Sequence, residues 1–252
     1  MKQLISASGG HGDWLSIEIV ASDLTFQHEA ERQLELAVAL AGRKLGPYPV
    51  KIELSDADRQ NASLLLKEVG QNKGPVVAMH PGANVDFKTW PLDRFIEVGR
   101  YLTQERKAII AVLGTNGQET EMANKLSNAV GPMAVNLTGK TPVRTLTAFL
   151  ELCGMYIGND SGPMHLAAAA GCPTVAIFGA TNPDRFGPYL PDDFMRVVVS
   201  KDFNHSMVGK AREIGKKILD TISVEMVTEA VDDLWNIAVD RFESRPDEKN
   251  DL

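Results

Sequence analysis

The segment Gly158-Asn159-Asp160-Ser161-Gly162-Pro163-Met164-His165-Leu166 sets a carboxylate, a hydroxyl and an imidazole around a glycine-bracketed turn. It runs on into Ala167 to Ala170 and Gly171. Met155 to Ile157 reads as the end of a buried strand, Ser161 as a helix N-cap, and Pro163 suits a first helical turn. A helix opening just past a strand's carboxyl end aims unpaired N–H groups and a positive dipole end into a crevice. α/β proteins hold phosphates in this way. Taken alone, the segment fits equally well an ordinary βα turn before a tightly packed Ala-rich helix. Asp160 could accept from a ligand hydroxyl or cap its own turn. His165 could donate to a phosphate or be a structural histidine.

Four further segments repeat the chemistry, each after an apolar stretch that reads as a strand. They are His80-Pro81-Gly82-Ala83-Asn84 through Lys88 to Trp90, Gly114 to Glu119, Thr138-Gly139-Lys140-Thr141, and Gly179 to Pro183. In a parallel sheet, ligands bind outside the carboxyl ends of the strands. Glycine with small hydroxyl or amide residues lets backbone approach a ligand closely. Jointly the five loops point to a phosphate-bearing ligand, which no single one would do. Lys88 is the positive charge of that rim, a compact partner for a diphosphate that can balance charge on a leaving group. Its bland alternative is a solvated surface lysine. Trp90 beside it reads as a core anchor. Glu119 could bind a ribose or be a plain helix-start glutamate.

Composition narrows the classes. The 252 residues are 44% hydrophobic and 23% charged, enough for a substantial core in a globular protein. A net charge of −7 gives no field that would draw nucleic acid or an anionic membrane. Cys153 and Cys172 lie in Ala/Gly-rich surroundings without ligand spacing, so free buried thiols are expected. No 18-residue apolar run or signal-peptide core is present, so the expected location is the cytoplasm. His11, His28, His80, His165 and His205 are scattered and make no metal spacing, so no metal is expected. A G-x-S-x-G elbow, a Walker A loop and a G-x-G-x-x-G fingerprint are all missing, which weakens hydrolase, P-loop and dehydrogenase readings.

The elements that must carry these loops can be read in order. Trp14 to Val20 is a candidate strand, and His28 to Leu45 an amphipathic helix stopped by Gly46-Pro47. Val50 to Leu54 is extended, and Ser55 to Asp58 cap a helix ending near Gly70. Strands are expected at 76–79, 108–113, 134–137, 155–157, 174–178 and 196–199. Helices are expected at 91–104, from Gly117 to about 130, and at 141–153, 211–222 and 224–239. A charged, frayed tail would begin at Arg241. Alternating βα units with continuous apolar strands predict a parallel, Rossmann-like sheet with helices on both faces.

The motifs His80-Pro81-Gly82, Lys88-x-Trp90-Pro91, Gly114 to Glu119, Asn159 to Ala167, Phe178-Gly179-x-Thr181-x-Pro183 and Gly187-Pro188 resemble the heptosyltransferase family, glycosyltransferase family 9. Order and spacing match from about residue 28 to residue 239. The resemblance implies the C-terminal half of a GT-B fold. That domain would bind a nucleotide-sugar, usually ADP-heptose, and transfer would invert the anomeric carbon without a metal or other cofactor. The acceptor would be a lipid-linked or oligosaccharide lipopolysaccharide core. Carried over by position, Lys88 would contact the donor phosphates. Asp160, Ser161, Gly162 and His165 would line the diphosphate and sugar. Ala83, Asn84, Thr115, Glu119 and Thr141 would lie on the nucleotide side.

The family's N-terminal domain, ~150 residues of sheet and helix that bind acceptor, is expected to be mostly missing. Its catalytic base is an Asp in a Gly-Asp pair. Gly12-Asp13 echoes that pair superficially, but the elements that should follow Asp13 are lacking, so the catalytic residue is unassigned. The expected organisation is therefore three segments. Residues 1–70 would be a domain remnant with a helical linker, 71–240 the donor-binding domain, and 241–252 the tail. Such a chain could be inactive alone and need a separate N-terminal polypeptide, form a homodimer, or sit peripherally on the inner membrane. The alternative is a standalone nucleotide-sugar binding module without transferase activity; a related epimerase architecture is a third possibility.

Overall fold

The computed structural model describes residues 4–5, 17–18, 28–43, 50–70, 74–204, 207 and 210–244. By its internal contacts the chain divides into residues 1–48 with 184–186, and residues 49–183 with 187–252. In the smaller unit, β1 (Leu4–Ile5) pairs in parallel with β2 (Ile17–Glu18), and α1 spans Glu29–Ala41. His28 Nδ1 accepts the Ala30 N–H at 3.1 Å and so caps α1. The helix stops at Gly42, whose φ of 64° is left-handed, four residues before the expected Gly46 stop. Gly46 and Pro47 lie outside the described residues, as do Gly12 and Asp13. Arg185 Nε donates to Glu29 Oε2 at 2.8 Å within this unit.

In the larger unit α2 (Asp56–Val69) begins with a reciprocal capping box. The Ser55 hydroxyl accepts from Asp58 N–H, and the Asp58 carboxylate accepts from Ser55 N–H. Gly70 ends it in the left-handed region at φ 91°. The remaining elements follow as β3 (Val76–His80), α3 (Leu92–Gln104), β4 (Ile109–Val112), α4 (Gln118–Val130), β5 (Ala134–Asn136), α5 (Val143–Leu152), β6 (Met155–Asn159), α6 (Gly162–Ala169), β7 (Thr174–Phe178), α7 (Pro183–Phe186, of which residues 184–186 count with the smaller unit), β8 (Met195–Val199), α8 (Ala211–Asp220) and α9 (Val224–Glu243). Six strands form one all-parallel sheet in the order β5-β4-β3-β6-β7-β8. The expected α/β architecture is therefore present.

Successive side chains on a strand point to opposite faces, so each central strand feeds two layers. Val77, Met79, Ile110, Val112, Ile157 and Ile177 join one core with Phe95, Val98 and Leu102 of α3, Leu126 of α4 and Leu234 of α9. Leu65, Leu66, Leu146, Phe149 and Met164 of α2, α5 and α6 are buried outside that cluster. α2 packs along α5, and α5 along α6, which is why α2 counts with the sheet's unit.

α9 also runs past the expected end at residue 239 to Glu243. Arg241 is helical and donates to the carbonyls of Glu151, Gly171 and Cys153 at 2.8, 3.2 and 3.1 Å. A charge that reads as tail in the sequence thus satisfies carbonyls at the C-terminal ends of α5 and α6.

Candidate functional site

From β3 the chain steps to β4 and β5 on one side; from β6 it steps to β7 and β8 on the other. The strand order reverses between β3 and β6, where His80 pairs with Gly158. Crevices at such reversal points are where open α/β sheets take ligands. The β6 turn and the loop 81–91 after β3 meet there.

Asn159 fastens the two. Its side chain is fully buried, accepts the Trp90 N–H at 3.0 Å, and donates to the carbonyls of Pro81 and Gly82 at 2.9 and 3.1 Å. Trp90 is the core anchor its type suggested: it is fully buried, meets Phe95 edge-on, and donates from Nε1 to Ile222 O at 3.0 Å. Between these fixed points, Asp86–Lys88 forms one 3-10 turn packed on α8. Gly215 makes that packing possible, since a Cβ there would stand 2.6 Å from Phe87 O.

The turn delivers Lys88 Nζ to 2.6 Å from Asp160 Oδ2. Asp160 is 6% exposed and Lys88 29%, so a nearly buried carboxylate steadies an ammonium that still reaches solvent. Beside them Ser161 has the extended backbone of an N-cap, φ −153° and ψ 168°, but makes no capping hydrogen bond. Its hydroxyl instead lies 3.3 Å from His80 Nδ1. The expected cap is thus a tertiary contact.

His80 Nε2 lies 3.4 Å from Glu119 Oε1, a contact longer than an ordinary hydrogen bond. Glu119 Oε2 accepts the Thr115 N–H at 2.6 Å and its hydroxyl at 2.7 Å. The His80 contact first, and then the two Thr115 donors, hold the Glu119 carboxyl down at about 2 against the opposing effect of burial. The Tyr156 hydroxyl is buried without hydrogen-bond geometry to any described partner, and burial raises its pKa with only partial opposition from Ser161.

Next to this network lies a hollow of about 340 Å³ with apolar walls from Leu113, Val143, Leu146 and Leu166, and with Thr115 and Thr141 as hydroxyls. Gly162 lines it too. A larger hollow of about 1060 Å³ lies at the opposite end of α6, against Ala168 to Gly171, away from these polar groups.

The structure therefore brings together Lys88, Asp160, Ser161, Gly162, Thr115, Glu119 and Thr141. It does not bring in Asn84 or His165, both of which are exposed and neither of which lines the small hollow. Two residues left in the sequence as motif members prove central, His80 and Asn159. The only signal for them was position: each ends an apolar strand run at the carboxyl edge. Among the described residues no group of three or more His, Cys, Asp or Glu could hold a metal. No described helix is long and apolar enough to cross a membrane.

Comparison with known proteins adds independent findings. The sequence model described as glycosyltransferase family 9 (heptosyltransferase) matches residues 6–217. Lipooligosaccharide heptosyltransferase 2 of Campylobacter jejuni is 32% identical over 123 residues, covering 47% of this chain and 38% of that protein. The crystal structure of a family 9 glycosyl transferase from Veillonella parvula superposes with a TM-score of 0.73 at 27% identity, covering 82% of this chain and 60% of that one. The E. coli heptosyltransferase WaaC with ADP shares the fold, with a TM-score of 0.61 at 19% identity over 83% of this chain and 57% of that one. The chain spans about half the length of the curated relatives it matches.

Proposed function

The chain belongs to glycosyltransferase family 9, and on that premise we propose that the crevice between β3 and β6 binds the donor of a heptosyltransferase-type reaction. The donor class is a nucleoside diphosphate sugar, ADP-heptose being the leading candidate. One observation carries the proposal: the Lys88–Asp160 pair stands at the sheet's reversal point, beside the start of α6 and next to an apolar hollow.

Each part has a matching piece of that ligand. The hollow takes the base, which needs flat apolar walls and few polar groups. Thr115 and Glu119 stand where ribose hydroxyls would be held. The diphosphate meets Lys88 and the first N–H groups of α6, where Gly162 leaves open space. When the sugar leaves, the diphosphate gains charge, and the Lys88 ammonium balances it without a metal. The E. coli relative described with ADP is consistent with that nucleotide.

The carboxylates of the crevice are already engaged by other groups. Glu119, held at about 2, has little affinity for a proton, and Asp160 is engaged by Lys88. This favours a donor-binding role for the sheet unit, with the base and the lipid-linked or oligosaccharide acceptor supplied elsewhere, Asp13 being its superficial candidate. It also keeps alive the second reading, a nucleotide-sugar binding module without transfer. The protein would work in the cytoplasm or peripherally at the inner membrane, as a homodimer or with a separate N-terminal polypeptide. Incubating the chain with ADP-heptose and a core oligosaccharide, and measuring ADP release with and without the acceptor, distinguishes these. Acceptor-dependent release supports transfer; saturable donor binding without release supports the module.

A further inference from the structure

We propose that His80 is a positioning residue that couples the nucleoside end of the crevice to its phosphate turn through a Glu119–His80–Ser161 bridge. The proposal deepens the donor-site reading and relies on it for its ligand. The His80 side chain is only 4% exposed, and its two ring nitrogens face different loops. Nε2 is 3.4 Å from Glu119 Oε1 at the start of α4; Nδ1 is 3.3 Å from Ser161 Oγ at the start of α6.

The proton placement follows from the partners. An ionised carboxylate only accepts, so Nε2 carries the hydrogen that faces Glu119. In the neutral ring Nδ1 then accepts, and the Ser161 hydroxyl is the donor. Either loop that moves leaves a buried ring nitrogen unpaired, which is costly. Glu119 has little freedom on its other side. A Cβ on Gly82 would collide with its Oε1, so the carboxylate fits only because position 82 has no side chain.

The bridge joins two groups with separate tasks. Glu119 Oε2 holds the Thr115 N–H and hydroxyl beside the apolar hollow. Ser161 adjoins Asp160, which holds Lys88. At 3.3 and 3.4 Å both bridge contacts are long, and contacts of that kind tighten when a ligand fills the site. Nucleoside seated in the hollow would therefore firm the Asp160–Ser161 turn before or as the diphosphate engages it. His80 touches no reacting atom in this scheme and acts only through its two partners.

The test is a double-mutant cycle. ADP affinity is measured by calorimetry for Glu119→Gln, Ser161→Ala and the double variant, first with His80 present and then in His80→Phe. With His80 the two substitutions should be non-additive by about threefold or more, and in His80→Phe additive within about twofold. Additivity with His80 in place would overturn the bridge. Should His80→Phe fail to fold, His80→Gln and His80→Asn serve as backgrounds, since they keep an amide near the Glu119 side and the Ser161 side respectively. A ligand-free readout separates this from the donor-site proposal. Long-range ¹H–¹⁵N spectra of the free chain, assigned by loss of signal in His80→Gln, should show the His80 proton at Nε2, facing Glu119. A ring protonated at Nδ1 would overturn the bridge even if ADP binds; a chain that binds no ADP but shows the Nε2–H ring would overturn the donor site alone.

Discussion

Lys88 Nζ and Asp160 Oδ2, 72 residues apart in sequence, stand 2.6 Å apart at the carboxyl edge of adjacent strands. The cation proposed to meet the donor phosphates is therefore already held by a carboxylate that is 6% exposed. Removing either partner has consequences for the other.

Lys88→Met should lower stability at neutral pH by about 1–3 kcal/mol, because it strands a nearly buried charge. The partial exposure of Lys88 sets the expectation toward the lower figure. Asp160→Asn added to Lys88→Met should recover most of the loss. Urea denaturation of the three proteins measures both effects; a double variant no more stable than Lys88→Met would contradict the account.

Glu119 gives a pH signature. Its folded value of about 2 lies below the ordinary value of 4.5, so the folded state binds its proton less readily than the unfolded chain. The resulting stabilisation is fully present above about pH 4.5 and fades as pH falls from there toward 2. In Glu119→Gln the stability curve should lose about 1–3 kcal/mol near pH 7 and be flatter between pH 5 and 3. Parallel wild-type and variant curves across that range would rule this out.

Asn159→Ala removes a buried side chain that accepts from Trp90 N–H and donates to two carbonyls. Left unpaired, those groups should cost about 2–4 kcal/mol, seen as a lower unfolding midpoint. Asn159→Asp should fare no better, because a carboxylate cannot donate to Pro81 O or Gly82 O.

Gly215→Ala tests the support of Lys88. In an exposed helix interior this change stabilises by about 0.5–1 kcal/mol. Here the added Cβ would stand 2.6 Å from Phe87 O, so the turn carrying Lys88 must shift. Lower thermal stability together with weaker ADP binding is expected, and a more stable protein with unchanged binding would count against it.

Much of the larger unit was legible because each βα unit announces itself locally. Val76 to Met79 is a wholly apolar run, and the Ser55/Asp58 box and Gly70 mark both ends of α2. The local pattern misleads where two signals compete or where the partner is distant. Gly46-Pro47 reads as the stronger stop, yet Gly42 comes first and already takes the left-handed turn. Arg241 reads as tail because the carbonyls it satisfies lie 70 to 90 residues away. The site divides in the same way. Residue types and edge position single out Lys88, Asp160 and Glu119 as candidates. The use of Ser161 by His80 instead of by its own helix could not be read locally, since 81 residues separate them.

The most direct measurement is calorimetric titration of the chain with ADP, repeated on Lys88→Ala and Asp160→Ala. Saturable one-to-one binding is expected, weakened by about 1–3 kcal/mol in Lys88→Ala, as suits a charge-assisted contact to phosphate. No binding by the unaltered chain, or equal binding by all three proteins, would contradict a nucleoside diphosphate site at the β3–β6 crevice.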